Sequence, residues 1–196
     1  MNFDTTKNYV LENERVLLRP LLIEDRKHLL NFSLNEPEIW NYSLIPANGE
    51  KNLDHYLAIA HSKKEQKDSY PFIVFDKKVN AYAGSTRFYD IQPEHNTVQL
   101  GYTWYGKDFQ RTGLNQNCKY LLLEFAFETM GVERVEFRAD AQNARSITAM
   151  KNIGCTVEGI LRSNCAGPTS RRDSIILSIL KNEWHDAIKA SLFQKI

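Results

Sequence analysis

Cysteine is scarce in this chain: Cys118, Cys155 and Cys165 are an odd set without C-x-x-C spacing, which argues against a disulfide framework or a structural zinc site. A reducing, cytoplasmic setting is the simplest expectation. Glycine and proline, nine and six of 196 residues, are too few for a low-complexity or disordered chain. Long apolar runs are missing too: Leu121, Leu122 and Leu123 are followed at once by Glu124, far short of the ~18 residues of a membrane helix. The start of the chain has no charged segment leading into an apolar one, so no secretory signal is expected and the sequons at Asn31 and Asn41 read as chance. Neither charge sign dominates. Lys and Arg number 25 against 24 Asp and Glu, a balance that disfavours nucleic acid as the main partner. His28, His55, His61, His95 and His185 show no i, i+4 pairing, so no metal site is expected.

What is present is a globular composition, with 42% hydrophobic and 25% charged residues. Residues 1–14 read as a polar arm and 15–196 as one domain. Val16, Leu17 and Leu18 form a short strand signal. Helical spacing follows over 24–34 and 50–67. Residues 70–75, 81–91 and 97–105 read as strands, the last alternating Val98, Leu100, Tyr102 and Trp104 on one face, with a hairpin turn over 92–96. The period then changes: Leu114, Cys118, Leu121, Leu122 and Phe125 form a helical stripe ending near Gly131. Val135, Phe137 and Ala139 alternate as a strand, residues 143–153 as a helix, 156–161 and 173–180 as closing strands, and the tail after Glu183 as helix. This order predicts one mixed α/β domain with a central sheet partly parallel in its middle.

The densest chemical signal is Gln110-Arg111-Thr112-Gly113-Leu114-Asn115, where a strand hands over to a helix. A helix start offers unpaired N–H groups and the positive end of the dipole, and a glycine there lets a phosphate approach the main chain. No Gly-Lys-Ser/Thr follows, so this is not a P-loop. Taken alone, Gly113 equally describes the end of a loop with solvated Gln110 and Arg111.

The segment Gln110-x-x-Gly113-x-Asn115 resembles the acyl-CoA pyrophosphate loop of the GCN5-related N-acetyltransferases (GNAT), with Asn115 in place of a final small residue. Leu100-Gly101-Tyr102-Thr103-Trp104 is similar to the strand before that loop in the ribosomal-protein-acetylating, RimJ/RimL-like branch. Asn143-Ala-Arg-Ser146, Lys151-Asn-Ile-Gly154, Glu158-Gly159-Ile-Leu-Arg162 and Arg172-Asp173-Ser174 match that branch in order over about residues 15–184.

The resemblance implies a central mixed sheet splayed into a V, flanked by helices, with acetyl-CoA as cosubstrate in the gap. Tyr102, Thr103 and Trp104 would pair with the pantetheine amides, and Gln110, Arg111, Thr112, Gly113, Leu114 and Asn115 would hold the pyrophosphate. Asn143 would approach the pantetheine arm and Ser146 would face the sulfur. The implied reaction is acetyl transfer to a primary amine, on a protein N-terminus or a small molecule, by direct attack in a ternary complex.

Such a transfer needs a deprotonated amine, donors for the carbonyl oxyanion and an acid for the leaving thiolate. The backbone N–H of Thr103 is the candidate oxyanion donor. Ser146 is the candidate for the thiolate, with an ordinary solvated serine as the competing reading. Gln99 stands where many members carry a glutamate, and Asn164 and Cys165 where some carry a second acid. Proton removal then falls to ordered water or to Asp90 or Glu94. Cys165 as an acyl-carrying nucleophile lacks a nearby histidine.

The resemblance puts the acceptor wall at Glu36–Tyr42, where Trp40 and Tyr42 are candidates, although Trp40 equally fits a core position. Arg87, Tyr89 and Tyr102 are further acceptor candidates, and Arg87 suits a carboxylate. The competing reading is a non-catalytic acyl-CoA-binding or sensing module. A metal-dependent phosphate enzyme is disfavoured because residues 106–119 offer Asp108 as their one carboxylate. A homodimer is the commonest closed assembly, and no membrane partner is expected.

Overall fold

The computed structural model describes residues 1–167 and 170–196. In chain order the strands are β1 (Leu11–Glu12), β2 (Val16–Pro20), β3 (Ser69–Asp76), β4 (Ala81–Gln92), β5 (Thr97–Tyr105), β6 (Arg134–Asp140), β7 (Thr156–Ala166) and β8 (Arg171–Leu180). The main helices are α1 (Arg26–Asn35), α2 (Glu50–Glu65), α3 (Leu114–Glu124) and α4 (Ala144–Asn152). A π-helical turn, Phe125–Met130, extends α3 to Gly131, whose φ of +72° ends it. The tail is helical over Lys181–Phe193. Among the described residues, no helix is long and apolar enough to cross a membrane.

One sheet runs β1-β2-β3-β4-β5-β6-β8-β7. Strands β1 to β5 pair antiparallel in chain order: short turns join β1 to β2, β3 to β4 and β4 to β5, while α1 and α2 bridge β2 to β3. From β5 the chain crosses through α3 and returns parallel as β6, as the change of period predicts. This is the expected mixed α/β domain with helices flanking a central sheet.

Alternation along the strands supplies two cores. On one face Val16, Leu18, Phe72 and Leu100 pack with Leu114, Cys118 and Leu122 of α3. On the other, Ile73 and Trp104 pack with Leu29 and Phe32 of α1 and Leu53 and Tyr56 of α2. Each fully buried aliphatic side chain stabilises the fold by roughly 1.5–3 kcal/mol.

Residues 1–14 are held to the domain by aromatic contacts. Phe3 stacks on Tyr9 at 5.3 Å and both rings meet Tyr70 and Phe125, while Leu11 and Glu12 pair with β2. Two bonded residues leave too short a pattern for a strand to be legible in the sequence.

Candidate active site

The sheet opens between β5 and β6. They pair only through Thr97, Val98 and Gln99 with Arg134, Val135 and Glu136. Beyond those pairs β6 bonds to β8 through Asp140, while β5 keeps its β4 partner and leaves the edge facing β6 unpaired. The cause lies in β5 itself. Arg87 pairs with Gly101 and Ser85 with Trp104, so Tyr102 and Thr103 together oppose Thr86 in a β-bulge. Tyr102 adopts φ +49° there. Gly84 permits the close approach: it has φ +154°, and a Cβ at that position would lie 2.0 Å from the Trp104 carbonyl oxygen.

The bulge corrects one expectation. Val98 and Leu100 face the α3 core, but the extra residue reverses the alternation and Trp104 joins the core beneath α1 and α2. Tyr102 also lies on that second side, its ring 5.0 Å from Tyr89.

On the α3 side, Thr103 Oγ1 lies 2.7 Å from Thr86 Oγ1 and accepts a 2.9 Å hydrogen bond from Lys119 Nζ. Lys119 is 5% exposed, and burial lowers its ammonium to about 8. None of the described ion pairs includes it. Its one aid from sequence was its place beside Cys118 and ahead of Tyr120-Leu-Leu-Leu123, where a cation has little chance of reaching water.

On the opposite side the Arg87 guanidinium, 2% exposed, lies between the rings of Tyr56 at 4.8 Å and Tyr102 at 4.3 Å. Burial raises the Tyr56 phenol, yet the Arg87 charge and the Ser85 hydroxyl bring it below its ordinary value. Tyr56 is a residue sequence reasoning missed, because its spacing on the α2 stripe reads simply as core. Burial raises the Tyr89 and Tyr102 phenols. Trp40 is buried edge-on to Trp104 at 5.1 Å, the core position that competed with a wall role. Tyr42 is exposed, and its carbonyl accepts from Arg172 Nη1 at 3.2 Å.

After β5 the chain turns sharply through Gln110–Gly113. Arg111 has φ +61° and Gly113 φ +86°, and α3 begins at Leu114. None of the described main-chain hydrogen bonds uses the amides of Arg111, Thr112, Gly113, Asn115 or Gln116, and the Leu114 amide has only a 3.5 Å contact to Thr112 Oγ1. A Cβ at Gly113 would meet nothing within 4 Å. Open space against unpaired amides at the start of an 11-residue helix fits a phosphate group. Gln110 anchors the loop, donating to the Tyr105 carbonyl at 2.9 Å and accepting from Arg145 Nη1 at 2.8 Å. Leu114 itself is core, so only its amide is available.

Asn143 caps α4, its Oδ1 accepting from the Ser146 amide at 3.0 Å. Gln99 donates to Asp90 Oδ2 at 2.6 Å, which ties down one of the two alternative acids. Cys165 lies on β7 opposite Arg172. Burial pushes Cys118 and Cys155 up to about 12, as expected of inert core thiols.

The family described as "Acetyltransferase (GNAT) domain" matches residues 15–156. The chain belongs to that family. The chain is 22% identical over 175 residues to "Uncharacterized N-acetyltransferase p20" of Bacillus licheniformis, covering 89% of this chain and 97% of that one. It superposes with TM-score 0.85 and 30% identity on the crystal structure of a "putative acetyltransferase" from T. thermophilus, covering 95% and 96% of the two chains. A GCN5-related N-acetyltransferase from Brucella melitensis shares the fold with TM-score 0.87 at 22% identity, over 96% of this chain and 85% of that one. The general activity these relationships support is acetyl-CoA-dependent acetyl transfer.

Proposed function

We propose that this GNAT domain is an N-acetyltransferase of the RimJ/RimL-like branch that acetylates a primary amine, on a protein N-terminus or a small molecule, by direct attack in a ternary complex. The observation that carries the reading is the opening of β5 from β6 beside the bulge, continued by the unpaired amides of the Gly113 loop. Bound acetyl-CoA supplies the thioester acetyl group. The free edge of β5 at Tyr102, Thr103 and Trp104 holds the pantetheine as an added strand would, and Gln110–Asn115 holds the pyrophosphate. Asn143 and Ser146 flank the arm from α4, with Ser146 donating to the departing sulfur. The Thr103 amide donates to the carbonyl oxygen.

No acid stands at position 99, and Asp90 is engaged by Gln99. With Glu94 exposed in the turn between β4 and β5, the acceptor proton leaves through water, and positioning supplies much of the rate, for which roughly 7–11 kcal/mol is available in well-oriented systems. The setting is cytoplasmic, with residues 15–196 as the catalytic domain. A non-catalytic acyl-CoA module is the second reading, favoured by Gln99 in place of a base. Calorimetry with acetyl-CoA, followed by thiol release against amines and N-terminal peptides, separates the two. Acceptor-dependent release establishes the transferase, binding without release establishes the module, and absence of binding overturns both.

A further inference from the structure

Among the described residues, Arg87 is a cation without a counter-ion. Its Nε and Nη2 are buried and have no hydrogen-bond partner, and none of the described ion pairs contains it. Burying a charge without pairing it is costly, so a protein that keeps one there gains when an anion arrives. The rings of Tyr56 and Tyr102 lie against the guanidinium at 4.8 and 4.3 Å. They offset part of that cost, but an aromatic ring supplies no lone pair to an N–H. The two unpartnered nitrogens share one side of the guanidinium, the side that grips both oxygens of a carboxylate.

The surroundings point the same way. Trp40 Nε1 and Trp104 Nε1 are also buried without partners, on the same side of the sheet. An indole can only donate, as can a guanidinium; the Tyr56 hydroxyl, which donates to Ser85 Oγ at 3.2 Å, is the acceptor set among them, so the cluster holds more donors than the described residues supply acceptors. The position is next to the fork, since Arg87 pairs with Gly101 immediately before the bulge.

We propose that Arg87 binds a carboxylate carried by the acceptor, so that the acetylated amine belongs to an amino acid or to a peptide whose N-terminal residue is acidic. The inference rests on the acetyl-transfer reading above. Side-on pairing fixes the carboxylate plane and thereby aims the neighbouring amine at the gap between β5 and β6. Lysine, a point charge without the planar fork, does not replace it.

Two measurements test the site. The first is thiol release by the wild-type protein with acetyl-CoA and matched acceptors: glutamate, aspartate and alanine against their carboxamides, and peptides beginning with Asp or Glu against those beginning with Asn or Gln. At least a tenfold higher kcat/KM for one carboxylate series is expected, and the series that responds identifies the source. R87Q and R87K should lower kcat/KM for those acceptors at least 100-fold while changing acetyl-CoA affinity less than threefold. The second is quenching of tryptophan fluorescence by the same compounds without acetyl-CoA. Saturable quenching by carboxylates and not by their amides would uphold the site even if no thiol were released, in which case only the transfer reading falls. Equal kcat/KM for the paired acceptors, or equal quenching by both members of every pair where no thiol is released, would overturn the Arg87 assignment and needs no variant that folds.

Discussion

Lys119 Nζ donates to Thr103 Oγ1 at 2.9 Å, and through that hydroxyl an ammonium buried under α3 reaches the bulge where the sheet begins to open. Burial lowers this ammonium to about 8 from 10.5. Between those values the unfolded chain holds a proton that the folded one has released, so the Lys119 contribution to stability rises with pH. Below pH 8 both states are protonated and the folded state bears the cost of the buried charge. The expected gain of wild type relative to K119M between pH 7.5 and 10.5 is about 3 kcal/mol. Urea denaturation of both proteins across that range checks it, and the difference cancels most of the opposing contribution of the buried cysteines. A flat difference would mean that the amine is hydrated.

Gly113 sits at φ +86° with open space where a Cβ would project. Gly113→Glu is expected to fold with a loss of about 1–2 kcal/mol from the left-handed backbone. Its carboxylate would face the unpaired amides and repel the pyrophosphate. Calorimetry should show acetyl-CoA binding weakened at least 100-fold, and unchanged affinity would remove the loop from the cofactor site.

At Gly84 the obstacle is steric, because an added methyl would lie 2.0 Å from the Trp104 carbonyl oxygen. Gly84→Ala must displace the bulged strand, and a destabilisation of about 2–4 kcal/mol is expected. Thermal and urea unfolding measure this directly. A cost below ~0.5 kcal/mol would show that the strands adjust freely there.

Ser146 follows the Asn143 cap by three residues, and its amide already serves that cap. Only the hydroxyl is therefore lost in Ser146→Ala. A tenfold or greater fall in kcat with acetyl-CoA affinity within threefold of wild type is expected if it donates to the departing sulfur. Wild-type turnover would exclude Ser146 from the chemistry.

The element order was legible from periodicity because alternation and helical stripes are local. Thr97–Tyr105 begins and ends as its pattern predicts, and the helix beginning after Gly113 is announced by its apolar stripe. The loop was legible as well, since a glycine between strand and helix states a backbone requirement that neighbouring residues share. Other features were closed to such reading. The bulge at Tyr102 needs Gly84 across the strand pair, and its reversal of side-chain direction moves Trp104 from one core to the other. Lys119 and Arg87 read as ordinary cations until packing from other elements closes over them, β5 and β6 around one and α2 and β5 around the other. Local spacing decides which residues can share a face. Whether a charge on that face reaches water or a partner depends on what folds against it, a long-range fact that no window of sequence contains.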